Sequence, residues 1–483
     1  MKFRPLEELF ESPLRNGLTK PKKVRGEGYK MVNMGELFSY HRIKNIPMDR
    51  VPLTEKEKAT SLLEPGDLLF ARQSLVRKGA GQCSIFLTDD EEVCFESHLI
   101  RCRLNKDIAN PLFYYYYFAS RPGKLVIDAI IEQGAGAAGI RGSDLAKVLV
   151  PDIEKNAQDE VANIFDQIDS KIELNHHTSQ TLEQIAQAIF KSWFVDFDPV
   201  RAKIAAREDF IQQYPEVTEE AIRAAAGTEG DTLAHACTKA CELAAICAIS
   251  GKTEEQLKEL DAGTLQQLKA VAALFPDALV DSPHGETPKG WKVSSIGDEV
   301  EVLGGGTPST KNERYWEGGE INWTSPRDLS GAKDKVLIKT EKQITEAGLS
   351  KISSGLLPVD TVLMSSRAPV GYLALAKIPL AINQGYIAMK CNKQLTPEFV
   401  LLWVDSMMDD IKQRASGSTF AEISKKNFRP LLVVVPDSRV LDIFHTKAKP
   451  IFDKITESVF ESLTLIETRD TLLPKLLSGK IVV

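Results

Sequence analysis

Residues 148–168 read VLVPDIEKNAQDEVANIFDQI, and residues 433–455 read VVVPDSRVLDIFHTKAKPIFDKI. Each passes from a run of aliphatic and β-branched residues, through a Pro-Asp stop, into a helical stretch ending Ile-Phe-Asp-(Gln/Lys)-Ile. The Pro-Asp pairs lie 285 residues apart and the Ile-Phe-Asp triplets 287, so two residues separate the registers. Upstream, Pro65-Gly-Asp67-Leu-Leu-Phe-Ala-Arg72 has a looser partner in Pro358-Val-Asp360-Thr-Val-Leu-Met-Ser-Ser-Arg367. The same unit is therefore written twice, each time followed by a long helix. That predicts a pseudo-two-fold molecule with two similar surfaces, a geometry suited to a target that also comes in two halves.

Outward from these stretches, residues 1–150 are rich in short strand-like runs punctuated by Gly and Pro: Asp67–Ala71, Cys83–Leu87, Val93–Phe95, Leu99–Leu104 and Val148–Val150. A helix is expected at Pro111–Ala119, since Pro suits a first helical turn. The second block repeats the style, with strands near Ile321–Trp323, Thr361–Met364, Tyr372–Leu375, Tyr386–Cys391 and Leu431–Val435, and a helix at Pro397–Met408. After each block an apolar stripe recurs at three- and four-residue steps: Val161, Ile164, Ile168, Ile172, Leu182, Ile185 and Ile189, then Ile451, Ile455, Val459, Leu463, Ile466, Leu473 and Leu477. Such narrow stripes suit helix-on-helix packing. The first lapses around Asn175–Ser179, where imperfect packing is expected. As a helix, Ile164–Phe190 would span about 40 Å, close to the ~34 Å between half-sites one DNA turn apart. The fold class is α+β: two similar mixed-sheet domains joined by two long helices packed as an antiparallel coiled coil. The boundaries read 1–150 (first domain), 151–200 (first spacer helix), 201–285 (Ala-rich, acidic helical connector), 286–435 (second domain) and 436–483 (second spacer helix). Connector helices are expected at Glu219–Ala226, Leu233–Ile249 and Thr253–Leu274.

A chain of 483 residues, 43% hydrophobic and 26% charged, is built for two to four globular domains. With no N-terminal basic-then-apolar signal and no apolar run near ~20 residues, a cytoplasmic protein without membrane contact is expected. Seven cysteines without paired spacing are read as free thiols. The net charge of −7 is uneven: +4 over 1–150, −13 over 151–290, +2 over 291–431 and zero over 432–483. The two strand-rich blocks are thus mildly basic, which permits polyanion binding, while the acidity sits in the connecting middle.

Further motifs resemble the specificity subunit of type I restriction–modification systems. Pro288-Lys-Gly-Trp291 followed by Gly304-Gly-Gly-Thr307-Pro308-Ser309 looks like the opening of a target-recognition domain in that family. Asn383-Gln384-Gly385 before a strand, Lys191-Ser-Trp-Phe-Val-Asp-Phe-Asp-Pro199, and the terminal Leu472-Leu-Pro-Lys-Leu-Leu-Ser-Gly479 are similar to its other motifs. The resemblance covers about 1–200 and 286–483. The first block shows no GGTPS-like opening and no Asn-Gln pair, as fits a domain reading a different half-sequence. The resemblance implies a host-defence subunit with no chemistry and no cofactor of its own. Each domain would read one half of a split double-stranded DNA site. The helices would set the spacing and dock two S-adenosylmethionine-dependent adenine methyltransferase (M) subunits. ATP-driven, Mg2+-dependent motor-nuclease (R) subunits would then join for cleavage.

Base edges are read by Arg, Lys, Asn, Gln and hydroxyl side chains, and phosphates by cations, hydroxyls and backbone amides. In the first block the candidates are Arg72, Gln73, Ser74, Arg77, Lys78, Gln133 and Arg141. In the second they are Thr307, Ser309, Lys311, Arg327, Ser365, Ser366, Arg367, Asn383, Gln384, Arg414, Ser416, Ser418 and Thr419. Any one of these is an ordinary surface residue when taken alone. The Gly-rich loops 133–142 and 414–419, each just ahead of a Pro-Asp strand, gain weight from the repeat. Against an enzyme, Asp152 with Asp169-Ser-Lys171 mimics a nuclease triad but falls in the helix stripe. Asp196-Phe-Asp-Pro199 lacks the second Pro and the aromatic of a base-gripping methyltransferase loop. The glycines at 304–306 lack the Gly-Lys-Ser/Thr ending of a phosphate loop. His235, Cys237 and Cys241 lack a fourth ligand, so a buried role is expected and no metal. Tyr114–Tyr117 suggests base stacking, with two of the four expected to face the core. The competing class is a duplicated protein-interaction scaffold that binds no DNA.

Overall fold

The computed structural model describes residues 2–134, 136–226, 230–416 and 421–477. The chain divides into two compact units, Met1–Glu173 with Ser462–Val483, and Leu174–Glu461.

In the first unit, strand Lys2–Pro5 pairs antiparallel with Leu149–Asp152. A five-stranded sheet runs in the order Phe10–Asn16, Leu99–Leu104, Leu68–Ala71, Cys83–Thr88, Arg42–Lys44, its last pair parallel. A second sheet has Tyr29–Val32 between Asp49–Val51 (antiparallel) and Val93–Phe95 (parallel). The alternation of short apolar strands with turns is what the composition led us to expect. The helix Pro111–Ala119 starts on the expected proline, with the Asn110 side chain accepting from the Leu112 and Phe113 amides. Tyr114, Tyr115, Tyr116 and Tyr117 are all buried, not two of the four. Tyr114, Tyr116 and Tyr117 donate to Pro151 O, Asp169 Oδ2 and Leu149 O, so these rings are core and offer no stacking platform.

The second unit repeats this plan strand for strand. Lys292–Ser295 pairs with Leu432–Val435. The five-stranded sheet runs Glu301–Gly304, Tyr386–Lys390, Val362–Ser365, Leu373–Ala376, Val336–Leu337, again with the last pair parallel. The small sheet has Ile321–Thr324 between Lys342–Ile344 (antiparallel) and Ala381–Ile382 (parallel). The helix Pro397–Ser406 ends two residues short of expectation, and Met408–Gln413 follows as a separate helix.

Two helices of equal length, Lys155–Phe194 and Ser438–Leu477, each of 40 residues, follow the two sheets. Their pairing is antiparallel. In the first unit Arg469 Nη1 meets Asp169 Oδ1 at 2.8 Å. In the second, Asn175 Nδ2 donates to Ser458 O (3.4 Å) and Glu461 Oε2 (2.9 Å), while Phe190 packs on Phe444. The lapse in the first stripe is filled with small polar residues: Asn175, Ser179 and Ser458 are all buried. Asn175 is hydrogen-bonded there while the buried Ser179 hydroxyl has no partner among the described residues, so the imperfect packing expected there holds in part.

The structure corrects the register of the duplication. Buried positions 158, 165, 169, 172, 175 and 179 match 441, 448, 452, 455, 458 and 462, a constant step of 283. Leu6 N and Ile296 N donate to Val148 O and Leu431 O, again 283 apart. The Ile-Phe-Asp match at 287 is thus displaced by four residues, about one helical turn. Residues i and i+4 share a helix face, so the false register places apolar on apolar as well as the true one. The Pro-Asp pairs are not equivalent either. Pro151 and Asp152 lie within a strand, whereas Pro436 and Asp437 follow one.

The connector belongs to the second unit. Its helices are Asp198–Gln213, Glu219–Ala225, Leu233–Ser250, Glu254–Lys258 and Ala262–Leu274, followed by the hairpin Leu279–Ser282/Gly285–Pro288. The expected 253–274 run is two helices, because Asp261 caps a new start by accepting from the Thr264 amide. Cys237 and Cys241 are buried. Among the described residues no group of three or more His, Cys, Asp or Glu could hold a metal ion. By length and composition alone, Leu233–Ser250 is apolar enough to cross a membrane.

Candidate nucleic-acid interface

In the first unit, strand Leu68–Ala71 runs on into a small ribbon, Gln73–Ser74 with Ala138–Gly139 and Glu132–Gln133. In the second unit, bridges Arg367–Glu422 and Ser416–Glu422 form the same ribbon after Val362–Ser365. Backbone hydrogen bonds fix the correspondence. Ile140 N donates to Arg72 O and Ile423 N to Ser366 O, each at 3.0 Å, while Arg72 N donates to His98 O and Ser366 N to Gly385 O, each at 2.8 Å. Gln73 in one unit therefore stands where Arg367 stands in the other.

A second correspondence gives the first block positional counterparts of the Gly-rich opening and the Asn-Gln pair, built from different residues as expected. Leu18 N donates to Phe95 O as Gly306 N does to Ile382 O. A Cβ on Gly17 would lie 2.1 Å from Phe95 O, and on Gly305 1.9 Å from Ile382 O. Both positions demand glycine because the backbones touch. Two residues on, Thr19 Oγ1 donates to Ser97 Oγ (2.9 Å) and Thr307 Oγ1 to Gln384 Oε1 (2.6 Å). Glu96-Ser97 occupies the place of Asn383-Gln384, since Glu96 N and Asn383 N both donate to the neighbouring parallel strand, at Val32 O and Thr324 O. Sequence reading missed Thr19, Ser97 and His98. The only signal was Gly17 with Thr19 two residues later.

The candidates fall into three groups. Gln73, Arg77, Lys78, Gln133, Arg141, Thr307, Ser309, Lys311, Arg327, Gln384, Arg414 and Ser416 are exposed. Arg72, Ser74, Arg367 and Asn383 are half-buried at the ribbon edge. Arg72, Gln73 and Arg141 line one groove of about 930 Å3 with the glycine backbone of the 134–142 loop. Several have prior engagements: Arg141 with Glu132 (2.8 Å), Arg367 with Glu422 (3.8 Å), Arg77 with Asp128 (3.0 Å) and Arg327 with Glu341 (3.9 Å). Such exposed pairs are worth about 0–1 kcal/mol, so a phosphate or base can displace them. Asn383 spends its Oδ1 on the Gly385 amide (2.8 Å), which shapes the turn that presents Gln384.

Ser365 and Ser366 are corrections. Both are buried. Ser365 Oγ donates to Pro369 O (2.7 Å) and accepts from the Tyr372 amide (2.8 Å), and the Ser366 backbone is bonded on both sides. They hold the Arg367 turn in place and present nothing to solvent. Ser418 and Thr419 lie outside the described residues.

Asp169, the centre of the nuclease-like pattern, is a structural hub. It accepts from Tyr116 and pairs with Arg469 (2.8 Å) and Arg42 (3.5 Å). Burial alone would lower the Arg42 pKa, but Tyr116, Glu173, Asp169 and Asp166 around it carry it above its ordinary value. These contacts give Asp169 a structural role in tying the helix pair to the sheet domain.

The family model for the type I restriction modification DNA specificity domain matches residues 1–184 and 288–448. The chain belongs to that family. It is 29% identical over 436 residues, 88% of each chain, to the type I restriction enzyme HindI specificity subunit of Haemophilus influenzae. It is 37% identical over 154 residues to the MjaIX specificity subunit of Methanocaldococcus jannaschii, covering 32% of this chain and 35% of that one. The fold matches a crystal structure of a type I restriction-modification S subunit from M. genitalium. The TM-score is 0.52 at 16% identity, covering 98% of this chain and 95% of that one. The matched residues leave out 185–287, which holds nearly the whole helical connector.

Proposed function

We propose that this specificity subunit is non-catalytic and reads a bipartite double-stranded DNA site, one half with each ribbon edge. It would direct two adenine methyltransferase subunits, and ATP-dependent nuclease subunits, to that site in the cytoplasm. S-adenosylmethionine, ATP and Mg2+ would be bound by those partners. The observation that carries this reading is the repeated edge. Thr19–Ser97 with Gln73 in one unit, and Thr307–Gln384 with Arg367 in the other, stand at equivalent backbone positions but differ in chemistry. Equivalent placement with different side chains is what two readers of two different half-sequences require. Exposed cations, such as Lys78 in the first unit and Lys311 in the second, would supply sequence-independent phosphate attraction.

The test is methylation, by this subunit with its methyltransferase partner, of a duplex library in which both halves and the gap are randomised. A two-part consensus with one fixed gap is expected. A single contiguous site, or no enrichment, overturns the bipartite reading in favour of a scaffold. Methyl transfer by the isolated subunit would overturn its non-catalytic role.

A further inference from the structure

The ribbon strand Gln73–Ser74 turns at Leu75 and Val76, which are 87% and 64% exposed. A single exposed apolar side chain needs no explanation. This tip differs because the turn beneath it is braced. Arg77 donates to Asp128 Oδ1 (3.0 Å), Asp128 O (2.8 Å) and Ile131 O (3.2 Å). Val76 N donates to Ser74 Oγ (3.3 Å), and Gly79 sits so close that an added Cβ would lie 2.4 Å from that same oxygen. Three arginine bonds and a glycine contact fix the base of the loop, and its two most apolar side chains point into solvent. Lys78 beside them is exposed and makes no ion pair among the described residues. The corresponding turn of the second unit, after Arg367, has Ala368 and Pro369 in solvent and Val370 buried, so it carries no such tip.

We propose that Leu75 and Val76 form an apolar wedge that enters the base stack of the half-site duplex read by the first domain. The inference rests on the DNA-reading function above. Apolar side chains inserted between base steps unstack them and bend the duplex, and a braced loop carries no ordering cost at that moment. The surroundings favour duplex over protein. The exposed cation Lys78 adjoins the tip and Arg72 and Gln73 lead into it, which suits a polyanion, whereas Lys is depleted at protein interfaces. Two side chains are also far smaller than the several hundred Å2 of a protein-docking patch. Because pyrimidine–purine steps unstack most cheaply, the first half-site should prefer a TA or CA/TG step at a position that no hydrogen bond reads.

The experiment uses the full chain with its methyltransferase partner. The half-site found from the randomised library is rebuilt with 2-aminopurine at each position in turn and with end-labels for energy transfer. The wild type should brighten one step and shorten the end-to-end distance. Leu75→Ala with Val76→Ala should abolish both signals, erase the step preference and weaken binding roughly ten- to hundredfold. Leu75→Met should retain them, and thermal unfolding of the double variant should be unchanged. Unchanged fluorescence, bend and Kd in the double variant would overturn the wedge while leaving DNA reading intact. Loss of methyltransferase association with the bend preserved would overturn it in favour of a protein contact. A wild type that enriches no sequence would sink the DNA-reading function itself.

Discussion

Gly305→Ala should be costly although glycine to alanine adds only a methyl group. The added Cβ would lie 1.9 Å from Ile382 O and 2.4 Å from its carbonyl carbon, both backbone atoms of the small-sheet strand Ala381–Ile382. Reaching even a 3.0 Å contact requires a relative shift of about 1.1 Å. That shift stretches the 2.9 Å bond from Gly306 N to Ile382 O and carries Thr307 away from Gln384. Overpacking of this kind costs about 1–3 kcal/mol, or roughly 2–4 °C of Tm for each kcal/mol in a unit of this size. The neighbours supply internal controls. At Gly306 the nearest atom to a new Cβ is 3.7 Å away, so alanine should be nearly neutral. At Gly304 it meets the flexible end of Lys425 at 2.9 Å, which can move aside. Thermal unfolding should rank the variants G305A, then G304A, then G306A, from most to least damaging. In the library assay only G305A should blur the second half-site. Equal costs at 305 and 306, or intact discrimination in a destabilised G305A, would refute the idea that this backbone contact positions the reading edge. Gly17→Ala, 2.1 Å from Phe95 O, should do the same to the first half-site.

Arg367→Ala should relax only bases of the second half and Gln73→Ala only those of the first, by about 1–3 kcal/mol each. Identical altered profiles in the library assay would contradict the division of labour. Lys78→Ala and Lys311→Ala should weaken binding to all sequences and reduce the magnitude of the log Kd against log salt slope by about one each, checked by titration across salt. Asp169→Ala removes the carboxylate shared by Arg42 and Arg469, but Arg42 keeps Asp166 and Glu173 and Arg469 keeps Asp470, so stability should fall by about 1–3 kcal/mol in denaturant unfolding. Asp169→Lys would be worse still. If Asp169→Ala instead abolished DNA cleavage by the assembled complex with no loss of stability, the residue would be catalytic after all.

Much of the fold was legible because short-range rules generate it. Apolar runs between glycines and prolines marked most of the central strands, and Pro111 and Pro397 marked two helix starts to the residue. The edge strand Phe10–Asn16 was not legible, since Pro13 interrupts it and most of its residues are polar, as in a loop. The duplication itself was plain, yet its register was not. Ile-Phe-Asp repeated at 287 imitates the true step of 283, because a one-turn slip on a helix preserves the buried face. Only packing on the sheets distinguishes the two.

The candidate edge divides along the same line. Arg367, Gln73 and Gln384 do lie at the ribbon edges, because charged and amide residues next to buried strands tend to emerge there. Ser365 and Ser366 failed that test, since one residue of strand register decides between core and solvent and the sequence does not state where the strand ends. The sequence alone determined that there are two like domains and two long helices, because the repeat and the periodicity are written in the order of residues along the chain. Tertiary structure alone decided that Gly17-Leu18-Thr19 is the counterpart of Gly305-Gly306-Thr307. The requirement there is imposed by a backbone carbonyl 78 residues away in one domain and 77 in the other, and no local pattern encodes so distant a contact.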